Sequence, residues 1–408
     1  MNLLLKLGLR NVKRNPRRSV LTILIICIGV VSLMFTHAII LGMKDSMRQN
    51  ATSTFLGHAQ SHHKDFQNDF SIEQTVPEIR SIVEILEQAP SIRSFSKRVV
   101  ARGMISSSYH ATGVQIFGVD FAKERHVSII EKAIVAGEYP KVPKDNSILL
   151  GVDLADRLDV TLGDKVVLTL TEAHTGELAQ ELFRVQGIVN FHSRGIDQGG
   201  AFIPLKKSQS LLNLGNEVHE IAFSFNKLDD ATNQRLPVWD KLRQKEALSQ
   251  NWEELMPALK SMFEMTNISI SIVAIILFLL ICLSILNTMF MSIYDRMYEF
   301  GVIKALGTKR WQVSIQIVYE CLGLGLLGTS LGLLLGCLAV YYWGIHGISF
   351  ADTEFNGVSV HEPIRTVFAW KQLTLVPLSV LAMTVISGLY PAFYAGKITP
   401  MEGMRQNS

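Results

Sequence analysis

The chain has 408 residues, 48% of them hydrophobic, with a formal net charge of +3 and four cysteines. This composition gives no indication of nucleic-acid binding, because the excess cations lie beside long apolar runs, where anionic lipid head groups alone would favour them. All four cysteines lie inside those runs, so no disulfide is expected to stabilise a domain outside them.

Four apolar runs are long enough to cross a membrane, which takes about 20 helical residues. They cover residues 19–43, 266–294, 311–343 and 372–396, and Glu320 is the one residue among them that is Asp, Glu, Lys or Arg. Only helices can satisfy the backbone polar groups of such runs within lipid. The first run is longer than the core of a secretory signal and no cleavage site follows it. The sequence therefore predicts an integral membrane protein with four transmembrane helices, in contact with membrane lipids.

The distribution of cations predicts the orientation. Residues 1–18 contain six Lys or Arg and no acid, and residues 295–310 contain four basic residues against two acidic ones. Short cytoplasmic connections are enriched in Lys and Arg. The segment 1–18, the loop 295–310 and the tail 397–408 are therefore predicted to be cytoplasmic. Residues 44–265 and the short loop 344–371 are then extracytoplasmic.

Residues 44–265 form the largest part outside the spans and mix helix-like with strand-like patterns. They predict an α+β domain, inserted between transmembrane helices 1 and 2 and carried on helical stalks that extend those spans. The predicted helices cover residues 77–89, 153–158, 206–214, 235–245 and 251–265. The predicted strands lie within residues 99–120, 147–150, 165–171, 182–189, 201–205 and 220–225.

Motifs for catalysis or metal binding are weak in this sequence. No Gly-x-x-x-x-Gly-Lys-Ser/Thr occurs, so the chain has no P-loop, and neither enzyme activity nor a cofactor is predicted. His58, His62 and His63 lack nearby Cys or clustered acids, which favours surface histidines over a metal site. Residues 106–108 and His110 are interpreted as a polar turn or strand face, because adjacency of Ser and His in sequence does not establish a catalytic geometry.

Polar and small residues inside the spans suggest helix packing. Glu320 lies about two turns into the third span, where a lone carboxylate is expensive. It is either a proton or conformational relay, or an acid paired within the bundle or near the cytoplasmic interface. Asn287 is interpreted as a hydrogen-bonding contact between helices, and Gly328, Gly332 and Gly336, which recur every fourth residue, predict a packing face.

The loop 295–310 contains apolar residues spaced three apart: Met297, Phe300, Ile303 and Leu306. A helix over residues 296–306 would place them on one face, with Glu299 and Lys304 elsewhere. Gly307 is expected to cap this helix at its C-terminus. From the pattern alone, a coupling helix and a solvated cytoplasmic turn fit equally well.

Residues 298–312 resemble the cytoplasmic coupling segment of ABC permeases of the FtsX, MacB and lipoprotein-releasing (Lol) superfamily. Other stretches that resemble the same superfamily follow in order: residues 9–22, 149–158, 163–164, 183–187, Glu320 with the glycine stripe, and residues 390–402. The resemblance implies an inner-membrane permease that forms a homo- or heterodimer and is driven by separate cytoplasmic ATPase subunits. Residues implied in the ATPase contact are Glu299, Phe300, Gly301, Lys304, Ala305 and Gly307.

Within that superfamily, the length and the single outer domain most resemble the lipoprotein-releasing permeases, as do residues 56–59 and 252–257. Such a permease would lift an acylated protein from the outer leaflet, with Met34 and Phe278 as candidates for an apolar cargo cleft. The loop that holds a periplasmic carrier is not recognisable in residues 190–200. The alternatives are an efflux permease for peptides or amphiphiles that works with an adaptor, and a transducer that controls a cell-wall hydrolase.

Overall fold

The computed structural model describes residues 16–140, 146–348, 353–355, 358–360, 363–399 and 401. The chain divides into two compact units. The first comprises Met1–Asp45, Phe263–Ser349 and Glu362–Ser408, and the second comprises Ser46–Met262 and Phe350–His361. Most of the predicted cytoplasmic segment 1–18 and of the predicted tail 397–408 lies outside the described residues.

The secondary structure of the described residues runs as follows. The helices are α1 (Pro16–Ala51), α2 (Phe66–Asp69), α3 (Ile79–Gln88), α4 (Phe121–Glu124), α5 (Val152–Leu158), α6 (Arg194–Gly199), α7 (Leu205–Leu211), α8 (Leu228–Thr232), α9 (Pro237–Arg243), α10 (Trp252–Leu255), α11 (Pro257–Asp295), α12 (Met297–Ala305), α13 (Arg310–His346) and α14 (Trp370–Lys397). The strands are β1 (Ala59–His62), β2 (Ile92–Ser106), β3 (Ala111–Val119), β4 (Ile134–Gly137), β5 (Ser147–Gly151), β6 (Lys165–Thr171), β7 (Leu178–Val189), β8 (Gly200–Pro204), β9 (Glu220–Phe225), β10 (Leu248–Asn251), β11 (Thr353–Phe355) and β12 (Val358–Val360). A π-helix, Thr52–Leu56, follows α1 directly.

The first unit is built on the four long helices α1, α11, α13 and α14, each of which is long and apolar enough to cross a membrane. Each contains one of the spans predicted from the sequence. Helices α1 and α11 run antiparallel: the Thr22 and Thr288 hydroxyls lie 2.8 Å apart, and the Lys44 ammonium donates to Asn267 Oδ1 at 2.6 Å. Aliphatic side chains from these helices form a shared core, including Ile26, Val30, Ile281, Ile317 and Val380.

The second unit contains ten described strands in one mixed sheet, in the order β10-β1-β9-β2-β3-β8-β5-β7-β4, with β6 paired to β2 and β7. Most neighbours are antiparallel, whereas β3 with β8 and β5 with β7 are parallel. The core beside this sheet is rich in aromatic residues: Phe55, Phe66, Phe117, Phe121, Phe191 and Phe202. The prediction of four apolar helices and an α+β domain is confirmed.

Arg98 on β2 is a fully buried cation in the second unit. Its guanidinium donates two hydrogen bonds to Glu124, at 2.7 and 3.0 Å, and one to Glu220 at 2.9 Å. The same group lies 3.8 Å from the centre of the Phe55 ring. Burial alone would lower the pKa of Arg98, but the two carboxylates together raise it, so the guanidinium stays charged. This cluster joins the π-helix, α4 and two strands by one buried charge.

Two helix predictions in this unit need correction. The predicted helix 251–265 is broken at Met256, whose φ of −123° and ψ of 68° are not helical. Pro257 follows, and a proline disfavours the α conformation of the residue before it. The predicted helix 206–214 ends at Leu211 instead. Asn213 then adopts a left-handed conformation with φ of 55°.

Candidate functional site

Helix α12 occupies the connection between the second and third long helices. Arg296 separates it from α11. At its other end the Gly307 amide donates to Lys304 O at 3.0 Å and the Thr308 amide donates to Ile303 O at 3.1 Å. These two bonds form a Schellman motif, which needs a residue in the left-handed region. Gly307 supplies it with φ of +98°, in the capping position that the sequence predicts.

A buried ion pair anchors the start of α12 to α13. Arg296 Nη1 donates to Glu320 Oε2 at 3.0 Å, and the two side chains are 8% and 7% exposed. Ser292 Oγ also donates to Glu320, and the Arg296 guanidinium lies 5.0 Å from the Phe300 ring centre. Glu320 is therefore a paired acid, one of the two interpretations left open above. Arg296 was not predicted as the partner of Glu320, because Arg296 lies outside the apolar runs. It is nevertheless the first cation after the second apolar run.

A second charged contact anchors the end of α12 to α14. The Lys304 ammonium donates to three carbonyl oxygens, those of Gly396 and Ile398 at 2.8 Å and that of Ala395 at 3.1 Å. Carbonyls at the C-terminus of a helix lack intrahelical partners, and a cation there also interacts favourably with the helix dipole. Burial, reinforced by the nearby charge of Arg310, lowers the pKa of Lys304. Lys304 thus holds the end of α14.

The residues predicted for the ATPase contact differ in how far they are exposed on α12. Phe300 is only 1% exposed and Gly301 is buried, so these residues support the helix from inside. Lys304 is turned to the carbonyls of α14. Ala305 and Gly307 are exposed, and the Glu299 side chain is 41% exposed. Two residues that the prediction of the contact omitted are also exposed: Tyr298 at 50% and Leu306 at 82%.

The glycine stripe of α13 lies against α1. A Cβ atom added at Gly328 would lie 2.7 Å from Ile26 Cβ, and one added at Gly332 would lie 2.7 Å from Val30 Cβ. One added at Gly336 would lie 2.9 Å from Met34 Sδ. Real Cβ atoms do not approach so closely, so the two helices can pack at this distance only because the residues are glycines.

The residues suggested for a cargo cleft are not open in this chain. Met34 has no exposed surface, because it packs against Gly336. Phe278 is partly buried against the core of the four-helix unit. Met34 is therefore closed within a single copy of the chain, and the cargo cleft stays a prediction. The exposed apolar surface of α1 and α11 lies at other positions, among them Leu24, Ile28, Ile272 and Ile276.

Asn287, interpreted from the sequence as a contact between helices, lies on the exposed side of α11. Its side chain is exposed, and it makes no hydrogen bond within the described part of the chain. The face of α11 that packs into the bundle carries aliphatic residues instead, such as Ile285 and Met289. The Asn287 amide therefore does not join helices within one copy of the chain.

The histidines of the second unit have structural roles. His62, predicted to be a surface residue, is 1% exposed and hydrogen-bonds through Nε2 to Gln250 Oε1 at 3.0 Å. His58 Nδ1 accepts from the Phe225 amide at 3.0 Å. Burial, aided by Arg93 and Arg48, lowers the pKa of His58 to about 4. No group of three or more His, Cys, Asp or Glu suited to a metal ion occurs among the described residues.

The serines near His110 form a turn between β2 and β3. The Ser107 amide donates to His110 O at 2.8 Å, and the amides of Tyr109 and His110 both donate to Ser107 Oγ at 3.1 Å. Ser107 Oγ itself donates to Leu158 O at 2.7 Å. The hydroxyl is thus committed to backbone groups, which matches a polar turn rather than a nucleophile.

Comparison with known proteins gives matches along most of the chain. The MacB-like periplasmic core domain family matches residues 19–235, and the FtsX-like permease C-terminal family matches residues 271–400. The lipoprotein-releasing system transmembrane protein LolE of Haemophilus influenzae is 23% identical over an alignment of 342 positions that covers 81% of this chain and 81% of the relative. LolC of Xylella fastidiosa is 22% identical over an alignment of 423 positions that covers 98% of this chain and 98% of the relative. Among solved structures, the periplasmic region of MacB from Actinobacillus actinomycetemcomitans is 12% identical in sequence, with a TM-score of 0.36. The match covers 52% of this chain and 95% of the MacB chain.

Proposed function

Because the chain belongs to the family that carries a MacB-like periplasmic core domain, here followed by an FtsX-like permease region, we propose that it couples ATP hydrolysis by a separate cytoplasmic ATPase to movement of its second unit. The matched family model is named a permease and the relative LolC a transmembrane protein of a releasing system, which supports a permease subunit whose ATPase is a separate chain. In this proposal both termini and α12 are cytoplasmic, the second unit is periplasmic, and the cargo is a lipoprotein released from the inner membrane. The relatives named as lipoprotein-releasing proteins support that choice of cargo.

The observation that carries the proposal is the anchoring of α12 at both ends. Arg296 ties its start to α13 through Glu320, and Lys304 ties its end to α14. A displacement of α12 is therefore passed to two membrane helices at once. An ATPase can drive such a displacement only if its nucleotide states differ in affinity for two arrangements of the permease.

The exposed part of α12 is the surface that we assign to the ATPase. It comprises Tyr298, the partly exposed Glu299 and Ala305 of the helix, together with Leu306 and Gly307 directly after it. Leu306 is 82% exposed at the end of the helix. A large apolar side chain with a rim of polar residues is typical of the centre of a protein interface. Phe300 and Gly301 act in this proposal by holding the helix in place.

The test is recovery of the ATPase from native membranes with the tagged chain, measured by quantitative mass spectrometry. Leu306→Asp should reduce recovery at least about tenfold, because burying an unpaired carboxylate at an interface centre is strongly unfavourable. Leu162→Asp is the matched control, since Leu162 is also an exposed leucine, at 45%, but lies in the second unit. Equal recovery with all three proteins would contradict the assigned surface.

The same purification tests the cargo. Enrichment of acylated proteins supports lipoprotein release. Enrichment of a cell-wall hydrolase without acylated proteins would favour the transducer instead. Enrichment of an adaptor and an outer-membrane conduit without acylated proteins would favour the efflux permease.

A further inference from the structure

The second unit has a cavity of about 720 Å³. Its walls come from the start of α3, from β2, from α7 and from the loop that follows α7. Ligand pockets in proteins measure about 300–1,000 Å³. The cavity can therefore hold a ligand much larger than a single ion.

Three cations line the cavity, each from a different element: Arg80 of α3, Lys97 of β2 and Lys206 of α7. None of the three makes an ion pair within the part of the chain that the structure describes. The next lysine of α7 differs in this respect, because Lys207 pairs with Glu181 at 3.0 Å. The cavity thus keeps an excess of positive charge, and a concave wall lined by one sign of charge concentrates the field at the ligand.

The packing of α7 on the sheet brings two of these cations to the same side. Ser208 of α7 occupies the space beside Gly118, where a Cβ atom would otherwise lie. Gly118 is paired with Val99 of β2, and Lys97 lies two residues before Val99 on that strand. Residues two apart on a strand face the same side of the sheet. Lys97 therefore lies on the face that α7 covers, which is the face of Lys206.

Hydrogen bonds hold the loop that forms the opposite wall. Gln209 Nε2 donates to Glu217 O at 2.9 Å, and the Leu214 amide donates to Gln209 O at 3.0 Å. Thr75 Oγ1 donates to Glu217 Oε2 at 2.7 Å. The wall is thus formed by the folded chain before any ligand binds, which reduces the entropy lost on binding.

The polar groups of this loop decide between classes of anion. Glu217 lines the cavity as an acceptor, and the carboxamides of Asn213 and Asn216 both donate and accept. A phosphate offers oxygen acceptors and would be repelled by Glu217. A peptide with acidic side chains offers carboxylates to the cations and, in addition, backbone N–H groups to the acceptors of the loop. The lining therefore favours a peptide over a simple anion.

We propose that this cavity binds a short acidic segment of a partner protein. The carboxylates of the segment contact Arg80, Lys97 and Lys206, and its backbone contacts the loop 213–217. Hydrogen bonds between such cations and carboxylates are about twice as strong as bonds between neutral groups. The site lies wholly within the second unit and uses none of the residues assigned to the ATPase. It is therefore a function beyond ATPase coupling.

Fluorescence anisotropy of a short labelled peptide of alternating glutamate and alanine tests the site. The protein is the full chain in nanodiscs of phosphatidylcholine, which carries no net charge. The native chain should bind this peptide, and added salt should weaken binding because it screens exposed charges. A peptide with glutamine in place of glutamate should bind at least about tenfold more weakly. Equal binding of the two peptides would overturn the proposal.

Variants of the cavity test which residues bind the peptide. Lys97→Gln combined with Lys206→Gln should raise the dissociation constant about tenfold, because charged hydrogen bonds are lost. Lys132→Gln combined with Lys241→Gln is the matched control: both lysines are exposed, belong to the second unit and lie outside the cavity. The control loses the same charge and should bind like the native chain. An equal rise in the control would overturn the proposal.

Lys206→Gln alone keeps the test valid if the substitution on the strand disturbs folding, because Lys206 is exposed on α7. It should raise the dissociation constant about threefold, as expected for one exposed charge pair. Native affinity in this variant would contradict the assigned site.

Competition separates the acidic peptide from other anions. Inorganic phosphate and glycerol phosphate, the soluble head group of an anionic lipid, should displace the peptide no better than sodium chloride of the same ionic strength. Stronger displacement by both would assign the cavity to a free phosphate group, and stronger displacement by glycerol phosphate alone would assign it to a lipid head group. Either result would overturn the proposal.

Discussion

Replacing Lys304 by Met should loosen the end of α14, because it removes the cation that binds three terminal carbonyls. The bonds are 2.8, 2.8 and 3.1 Å long. A hydrogen bond to a charged group contributes about 1.5–3 kcal/mol. A cation at a partly buried helix C-terminus contributes up to about 2 kcal/mol. These figures describe the same contact and are not added. The lowered pKa of Lys304 shows that its desolvation opposes the gain, so we expect a net loss of about 2 kcal/mol.

The assay is hydrogen exchange of the backbone amides in the last turn of α14, on the full chain in lipid nanodiscs without ATPase. A loss of about 2 kcal/mol in the opening free energy should speed exchange about thirtyfold, because 1.4 kcal/mol is a factor of ten. Lys309→Met is the matched control: Lys309 is an exposed lysine close to the same loop, so the variant loses the same charge but keeps the three hydrogen bonds from Lys304 to the end of α14. Unchanged exchange in Lys304→Met, or the same acceleration in both variants, would refute the reasoning.

Two further predictions concern buried charge and pH. Glu320→Gln removes the closer and more buried of the two carboxylates beside Arg296 and leaves Glu299, at 3.5 Å. It should lower the free energy of unfolding by about 3 kcal/mol, measured by thermal unfolding in detergent. The double variant Arg296→Met with Glu320→Met should recover much of the loss, so an equally unstable double variant would speak against the ion pair. The pKa of His58 is lowered to about 4 in the folded chain, against about 6.5 in the unfolded chain. Between about pH 6.5 and pH 4 the imidazole is therefore protonated mainly in the unfolded chain. The free energy of unfolding should fall by about 2 kcal/mol from pH 7 to pH 5. Denaturant unfolding at the two pH values should show a smaller fall for His58→Gln, and the exposed His110→Gln should behave like the native chain; an unaltered pH dependence in His58→Gln would assign the effect to another group.

Local sequence patterns predicted most of the fold, because they report interactions within a short stretch of chain. Four long apolar runs, with Glu320 as their one charged residue, were enough to place four helices, since a helix pairs its backbone groups within its own segment of chain. Gly307 could be placed at a helix end from its position alone, and its positive φ agrees. The break at Met256 was missed, although the proline that follows it was a local signal.

Partners that are distant in sequence could not be obtained in this way. Lys304 meets carbonyls about ninety residues later in the chain, and Arg98 meets Glu220 across the sheet. Both contacts depend on how elements pack, and no pattern of spacing encodes them. The burial of Met34 could not be predicted for the same reason, because Met34 packs against Gly336 of α13. Asn287 turned out to lie on the outer side of α11.

By itself the sequence determined that this protein has four membrane helices, a large α+β domain and a short segment able to form a helix between the second and third spans, because composition and periodicity express what each stretch must bury. Only the tertiary structure decided which side of that segment is free. The burial of Phe300 and Gly301 and the binding of Lys304 to α14 leave Tyr298 and Leu306 on the surface, since a helix face becomes inner or outer only when its neighbours are in place.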